Sequence, residues 1–442
     1  MSQRGVMAGA RRMVQMVKAH PVVSPRDQAA RNVRLFYLNT AMLGVPFGGI
    51  VAFMPVFLAR LGASSSLVGW LTSAPALLAA ISYIPGAAIA ERFADQVMVR
   101  VTCARIVRLT FLLCALLPFV IPSESFSILP VVLVVLWSIQ AVFDAVAVPA
   151  WTSVLARAIP PRQRARLNGT RWALLAIVSA VSSAFFGWLL DQVAFPLNYQ
   201  IVFAISFALG WLDPMFFARI VVPHIEVSPR GDKKRGLCAA ARDALPRLIA
   251  YLRPVTRERR FLIFLLATTA YRVALAMPSP LFSLFWVNEL GASDSLIGLR
   301  GTVGNAALVL GYVVWGRLAD RIGHRQVLAM AAGGLAFYPA VTALSQSAAW
   351  ILPAAAIWGV TVSGLDVGLF DLMLLACPEK RHQRFVAASR MVANLAMFLG
   401  PLIGVALADA TSISTALLVI AGAQIVTMAP FLLLPREDPC DP

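Results

Sequence analysis

The sequence predicts an all-α polytopic membrane protein, with twelve transmembrane helices in two pseudo-symmetric six-helix bundles. Three observations predict it. Of 442 residues, 59% are hydrophobic and 13% charged, with a mean hydropathy of +0.77, whereas soluble chains carry about 25% charged residues. Twelve stretches are apolar over the roughly 20 residues that a helix needs to cross the hydrocarbon of a bilayer. A segment of the first half also recurs in the second. The apolar blocks do not alternate as barrel strands do, so helices are the spanning form that satisfies the backbone.

In chain order the expected spans are 33–60, 66–90, 101–121, 127–154, 168–190 and 199–222, then 261–288, 294–316, 326–345, 350–375, 387–408 and 412–434. They leave a cytoplasmic N-terminal tail at 1–32, an N-terminal bundle at 33–222, a basic cytoplasmic linker at 223–260, a C-terminal bundle at 261–434 and a cytoplasmic C-terminal tail at 435–442. The tail holds Arg11 and Arg12 but no apolar core before His20 and Pro21, so no cleaved signal is read. In span 1 stand Gly44, Pro46, Gly48, Gly49 and Pro55, and in span 7 Pro278 and Pro280. These equivalent helices are expected to bend beside a central pathway, because freed backbone groups need protein or water around them. In the linker, Pro246 suits the first turn of a short interfacial helix. A solvated linker reads equally well.

Lys and Arg number 38 against 21 Asp and Glu, a net charge of +17. Nucleic acid is not the implied partner, because the basic residues concentrate in the tails and in alternate connections, while the opposite connections hold Arg60 alone. Retention of basic loops in the cytoplasm predicts both termini inside a cytoplasmic membrane, with anionic lipid headgroups as partners. Cys103 and Cys114 lie in span 3, and Cys238, Cys377 and Cys440 fall on the cytoplasmic side. No disulfide framework, metal or cofactor is called for.

The repeat is ungapped. Leu61 to Gly69, LGASSSLVG, matches Leu290 to Gly298, LGASDSLIG, at an offset of 229 residues. The same offset lays Glu91 and Arg92 on Asp320 and Arg321. Two equal units with an even number of spans enter from the same side, so the repeat is parallel, about an axis along the membrane normal.

Between spans 8 and 9 stands GRLADRIGHR, Gly316 to Arg325. With six plus six spans and a long central loop, it resembles the signature loop of the major facilitator superfamily of secondary transporters. The matching positions are Gly316, Asp320, Arg321, Gly323 and Arg325, with a worn copy in the first half that keeps Glu91 and Arg92. PAWTSVLARAIPPRQRARLNGTR (149–171) resembles the family's basic loop between spans 4 and 5, and LGPLIG (399–404) its Gly-Pro packing motif. The proton-coupling motif of span 4 shows Gln140 and Pro149 but Trp137 at the arginine position, and span 5 lacks the Gly-Pro signature of drug antiporters. Both departures weaken the drug/proton antiporter reading. The resemblance implies alternating access and a cavity lined by spans 1, 4, 7 and 10.

The knot has its own physics. An eight-residue turn between helices is expected, with Gly316 and Gly323 clearing the helix approach. Asp320 is expected near helix N-terminal amides, with Arg317, Arg321 and Arg325 to pair with it. Such a cluster reads as a cytoplasmic latch; the alternative is that it only retains the loop inside.

An ionisable residue inside a span needs a pathway or a partner. Arg272 in span 7 lies near the midplane, and Asp144, Asp213 and Asp366 lie in the cytoplasmic halves of spans 4, 6 and 10. Asn39 and Gln140 add neutral polar groups to the expected cavity, beside Arg272. One reading makes Arg272 the anchor of an anionic substrate group, with Asp144 or Asp366 carrying a coupling proton; another makes Arg272 and Asp366 a structural salt bridge. Asp213 is a further coupling or charge-pair candidate. Asp371 is expected to pair with Lys380 or Arg381. Arg300, Arg105 and Arg108 are read as snorkelling to headgroups.

No enzyme constellation is found: the histidines are His20, His224, His324 and His382, all in tails or loops, and no phosphate-cradling or nucleophile motif occurs. The leading function is a secondary transporter of a small organic solute, coupled to protons or another ion. A multidrug or lipid exporter is second, and a non-transporting sensor or assembly factor on the same scaffold is third.

Overall fold

A computed structural model describes residues 25–121, 127–222, 258–376 and 382–433. Residues 1–24 of the N-terminal tail, 223–257 of the linker, the C-terminal tail and the expected partners of Asp371 lie outside these residues. The twelve apolar helices are α1 (Gln28–Arg60), α2 (Ser65–Tyr83, continuing to Glu91), α3 (Gln96–Val120), α4 (Leu129–Ala158), α5 (Pro161–Gln192) and α6 (Leu197–Phe217) in the first half. In the second half they are α7 (Phe261–Glu289), α8 (Asp294–Ile322), α9 (His324–Ala343), α10 (Ala348–Leu369), α11 (Ala388–Ala410) and α12 (Ile413–Leu432).

The repeat holds to the level of single torsion angles. Gly62 and Gly291, equivalent by the 229-residue offset, have φ of +73° and +57°, values that glycine adopts without steric cost. Two residues later Ser64 and Ser293 cap α2 and α8, accepting from the amides of Leu67 and Leu296. The helix starts are therefore set locally by the same short string.

Two connections differ from expectation. The basic segment after α4 is helical rather than a loop: Pro161 takes the first position of α5, and Arg164 folds back onto the carbonyls of Ile159 and Ala156. Nor is there an eight-residue turn after span 8. Helix α8 runs to Ile322 and α9 starts at His324, so Gly323 alone, with φ +86° and ψ 152°, turns the chain.

Helices α1 and α7 do bend at equivalent places. In α1 the bend is a π-helical turn, Phe47–Val51, with Gly49 at φ −100° and ψ −107°. The hydroxyl of Ser206 accepts from Ile50 N there (3.2 Å), supplying an acceptor for a displaced amide. Helix α7 breaks around Met277, before the short helix Ser279–Leu284. Gly404 of α11 abuts this break so closely that a Cβ would lie 2.1 Å from Met277 O. The Gly-Pro segment thus provides close approach to α7.

The halves meet through α5 against α8, α2 against α11, and the outer segments of α1 and α7, while α4 and α10 do not pack on one another. On α5 and α8 the stripe Ser183, Gly187, Gly298 and Gly301 brings backbones together; a Cβ on Gly298 would lie 2.3 Å from Ser183 O. The last bond between these two helices joins Thr302 Oγ1 to Ala180 O (2.7 Å). Among the described residues no hydrogen bond or ion pair joins the halves beyond it, which leaves one end of the bundle sealed and a cleft toward the other.

Candidate functional site

The sealed end is built on Asp294, the first residue of α8. Its Oδ1 accepts from Arg60 Nε (3.1 Å), Arg60 Nη2 (3.0 Å) and Tyr199 Oη (2.8 Å), joining α1, α6 and α8. Asp191, at the end of α5, accepts from the amides of Asp294 (3.0 Å) and Ser295 (2.9 Å). A carboxylate of one half thereby caps a helix of the other, where the helix dipole favours it. At the equivalent N-terminus in the first half a side chain takes the place of the amides, as Ser65 Oγ donates to Asp409 of α11 (2.6 Å). Of these residues only Arg60 was singled out from sequence, and for topology rather than for a site. The signal was present, because Asp294 replaces the equivalent Ser65 in an otherwise near-identical repeat.

Tyr312 stands eleven residues, about three turns, beyond Gly301 on α8. It continues the α5-facing stripe past the point where the halves part, and so faces the cleft. Its hydroxyl donates to Asp366 Oδ2 (2.7 Å), which brings Asp366 of α10 to the same wall. Arg272 of α7 and Arg390 of α11 both lie within electrostatic reach of this carboxylate and of each other. The expected Arg272–Asp366 salt bridge is not formed: among the described residues no ion pair or hydrogen bond engages the half-buried Arg272. Arg390 and Tyr312 were not expected from sequence.

On the other half Asp144 is exposed, without a hydrogen bond or ion pair, in the field of Arg100 and Arg108 of α3. Gln140, one turn away, is buried with its Nε2 unpartnered. Asn39 is not a cavity residue, since its buried amide donates to the Asp213 carboxylate and to Asp213 O (3.1 Å). Asp213 in turn pairs with Arg108, Nη2 to Oδ2 at 2.9 Å, with side-chain exposures of 0% and 6%. The snorkelling expected of Arg108 is therefore wrong: a local acid, Gly210 O (3.2 Å) and the Phe111 ring (5.1 Å) hold it inside. Arg105 remains exposed, over Trp211. Arg171 of α5 lies over Trp151 (4.6 Å) and Phe36 and donates to Thr40 Oγ1 (2.8 Å).

At the open end, Asp320 and Arg321 are exposed and make no hydrogen bond or ion pair among the described residues, so the expected pairing within the knot is absent for this aspartate. Gly316 is not a packing glycine, because a Cβ there would meet nothing within 4 Å. Gly323 is required by its positive φ. Arg325 is half-buried and engaged, and Arg92 is exposed just after α2. The side chain of Glu91 lies outside the described set.

Several solved structures share the architecture. The nucleoside transporter NupG superposes with a TM-score of 0.64 at 13% identity, covering 92% of this chain and 99% of that one. A POT family transporter in complex with 5-aminolevulinic acid gives 0.71 at 12% identity, covering 91% and 96%. A bacterial homolog of the human lysosomal transporter Spinster, inward-facing and occupied, gives 0.67 at 16% identity, covering 93% and 98%. Among curated proteins none matches the sequence significantly. The sequence model of the Major Facilitator Superfamily matches residues 36–271 and again 264–442, once for each half. Two matching repeats, twelve spans and a cleft between the halves place this chain in the major facilitator superfamily of membrane transporters.

Proposed function

We propose that the chain is a secondary active transporter that moves a small organic anion across the cytoplasmic membrane by alternating access, with a proton as the coupling ion. The observation that carries this reading is Arg272, a half-buried guanidinium at mid-span, beside a second arginine and engaged by no carboxylate. A cation in that position needs a partner, and its planar fork suits a carboxylate or phosphate. The open-end half of the spans also carries Arg100, Arg105, Arg108, Arg171, Arg272 and Arg390 against Asp144, Asp213 and Asp366, an excess of positive charge. With Asp213 committed to Arg108, Asp144 and Asp366 are the residues left to carry the proton. The open end is taken as cytoplasmic because the basic connections emerge there, where they also meet anionic headgroups.

The test is a thermal-unfolding screen of the purified protein against organic anions, phosphorylated metabolites, sugars and lipophilic cations, with Arg272→Ala alongside. Binding to the folded state raises the melting temperature by mass action. The expected result is stabilisation of the parent by an anion, lost in the variant, followed by proton-dependent uptake of that anion into liposomes. Stabilisation only by lipophilic cations or lipids, equal in both proteins, would replace this reading with that of an exporter of amphiphiles.

A further inference from the structure

Arg300, expected to reach headgroups, does not. It sits six residues into α8, roughly 9 Å along the helix, with its guanidinium carbon 4.9 Å from the ring centre of Trp286, 5.3 Å from Trp358 and 5.8 Å from Tyr338. These rings come from α7, α10 and α9, and Phe282 closes the box by stacking on both Trp286 and Tyr338. Among the described residues no carboxylate pairs with it. Its one hydrogen bond runs from Nη2 to the Tyr338 hydroxyl (2.8 Å), which removes no charge.

The donors left over are the unusual feature. Arg300 Nε is sealed from solvent without an acceptor. Nη1 also lacks one but is not sealed, so it reaches open space. The Tyr338 hydroxyl, having accepted from Arg300, has a proton still to donate, and among the described residues the indole N–H groups of Trp286 and Trp358, which are not sealed, make no hydrogen bond. Aromatic faces stabilise a guanidinium by about 0.5–2 kcal/mol each, but they satisfy none of these N–H and O–H groups. A half-buried guanidinium that keeps its full positive charge, with an accessible N–H donor and no carboxylate beside it, is complementary to an anion.

We propose that the Arg300 box binds a small anion, of carboxylate or halide size, at a site separate from the cleft arginines Arg272 and Arg390. The apolar walls favour a weakly hydrated anion, and occupancy neutralises Arg300 while giving its accessible Nη1 an acceptor. The site does not depend on what the cleft transports.

The tryptophans make it directly readable. Iodide, a weakly hydrated quencher, is titrated into the purified full-length protein at constant ionic strength with sulfate, and tryptophan fluorescence is followed. A saturable component is expected, displaced by acetate, lost in Arg300→Gln and in Trp358→Phe, and retained in Arg272→Ala. Should Arg300→Gln fail to fold, Trp358→Phe and Tyr338→Phe carry the test. Linear quenching, equal in the parent and these variants, would overturn the proposal. A saturable component lost in Arg272→Ala but kept in Arg300→Gln would also overturn it, assigning the anion to the cleft.

Discussion

Arg108 of α3 and Asp213 of α6 form an ion pair of 2.9 Å, and Asn39 of α1 donates to the same carboxylate. Three helices of one half are thereby pinned by a single buried acid. Removing one partner of such a pair leaves the other charged and unpaired, at a cost of about 3–5 kcal/mol, whereas replacing both by apolar groups of similar volume is often neutral. Arg108→Met and Asp213→Leu should each lower the unfolding temperature markedly, and the double variant should recover most of the loss. If the double variant also retains proton-dependent transport, Asp213 is structural; if coupling disappears in a well-folded double variant, Asp213 joins the proton path.

At the open end, Asp320 makes no contact that the fold depends on in this conformation. Asp320→Ala is therefore expected to leave expression and melting temperature unchanged while severely slowing transport, because the latch forms in the opposite state. Normal uptake by this variant in liposomes would reduce the knot to a retention signal.

The two motif glycines should behave differently. Gly316→Ala meets empty space and is expected to be silent. Gly323→Ala must hold a side chain at φ +86° and should cost about 1–3 kcal/mol. Equal melting temperatures for the two variants would refute the structural distinction.

The sealed end should open when its bonds are removed. Asp294→Asn weakens the links to Arg60 and Tyr199, and Gly298→Leu wedges α5 from α8. A cysteine placed at Thr302, in a background without native cysteines, should react faster with a polar thiol reagent in both variants than in the parent. Unchanged labelling would mean that the apolar contacts alone hold this end shut.

Most of the architecture was legible because it is written in long-range composition and in exact repetition. Twelve apolar blocks of membrane-crossing length admit one backbone solution, and LGASSSLVG with LGASDSLIG encodes both the turn and the helix cap. The site was less legible. Sequence position gives the depth of Asp144, Arg272 and Asp366 in the membrane, but not their azimuth, so Asn39 was assigned to the cavity when it faces Asp213. Arg108 was misread for the same reason, since its partner lies 105 residues away. Arg300 shows the converse limit: three aromatic rings from three helices assemble around it, and no local pattern announces them.

The caps at the sealed end bear on the ancestry of the chain. Arg60 and Glu289 occupy equivalent positions, as do Ser65 and Asp294, yet among the described residues only the pairing of Arg60 with Asp294 joins opposite charges across the halves. Two copies of the first half would set Arg60 against Ser65 twice, with no acid to receive it. Two copies of the second would gather four carboxylates and no arginine at these positions. Each half therefore carries one partner of this pair, and neither half paired with a copy of itself would reproduce it.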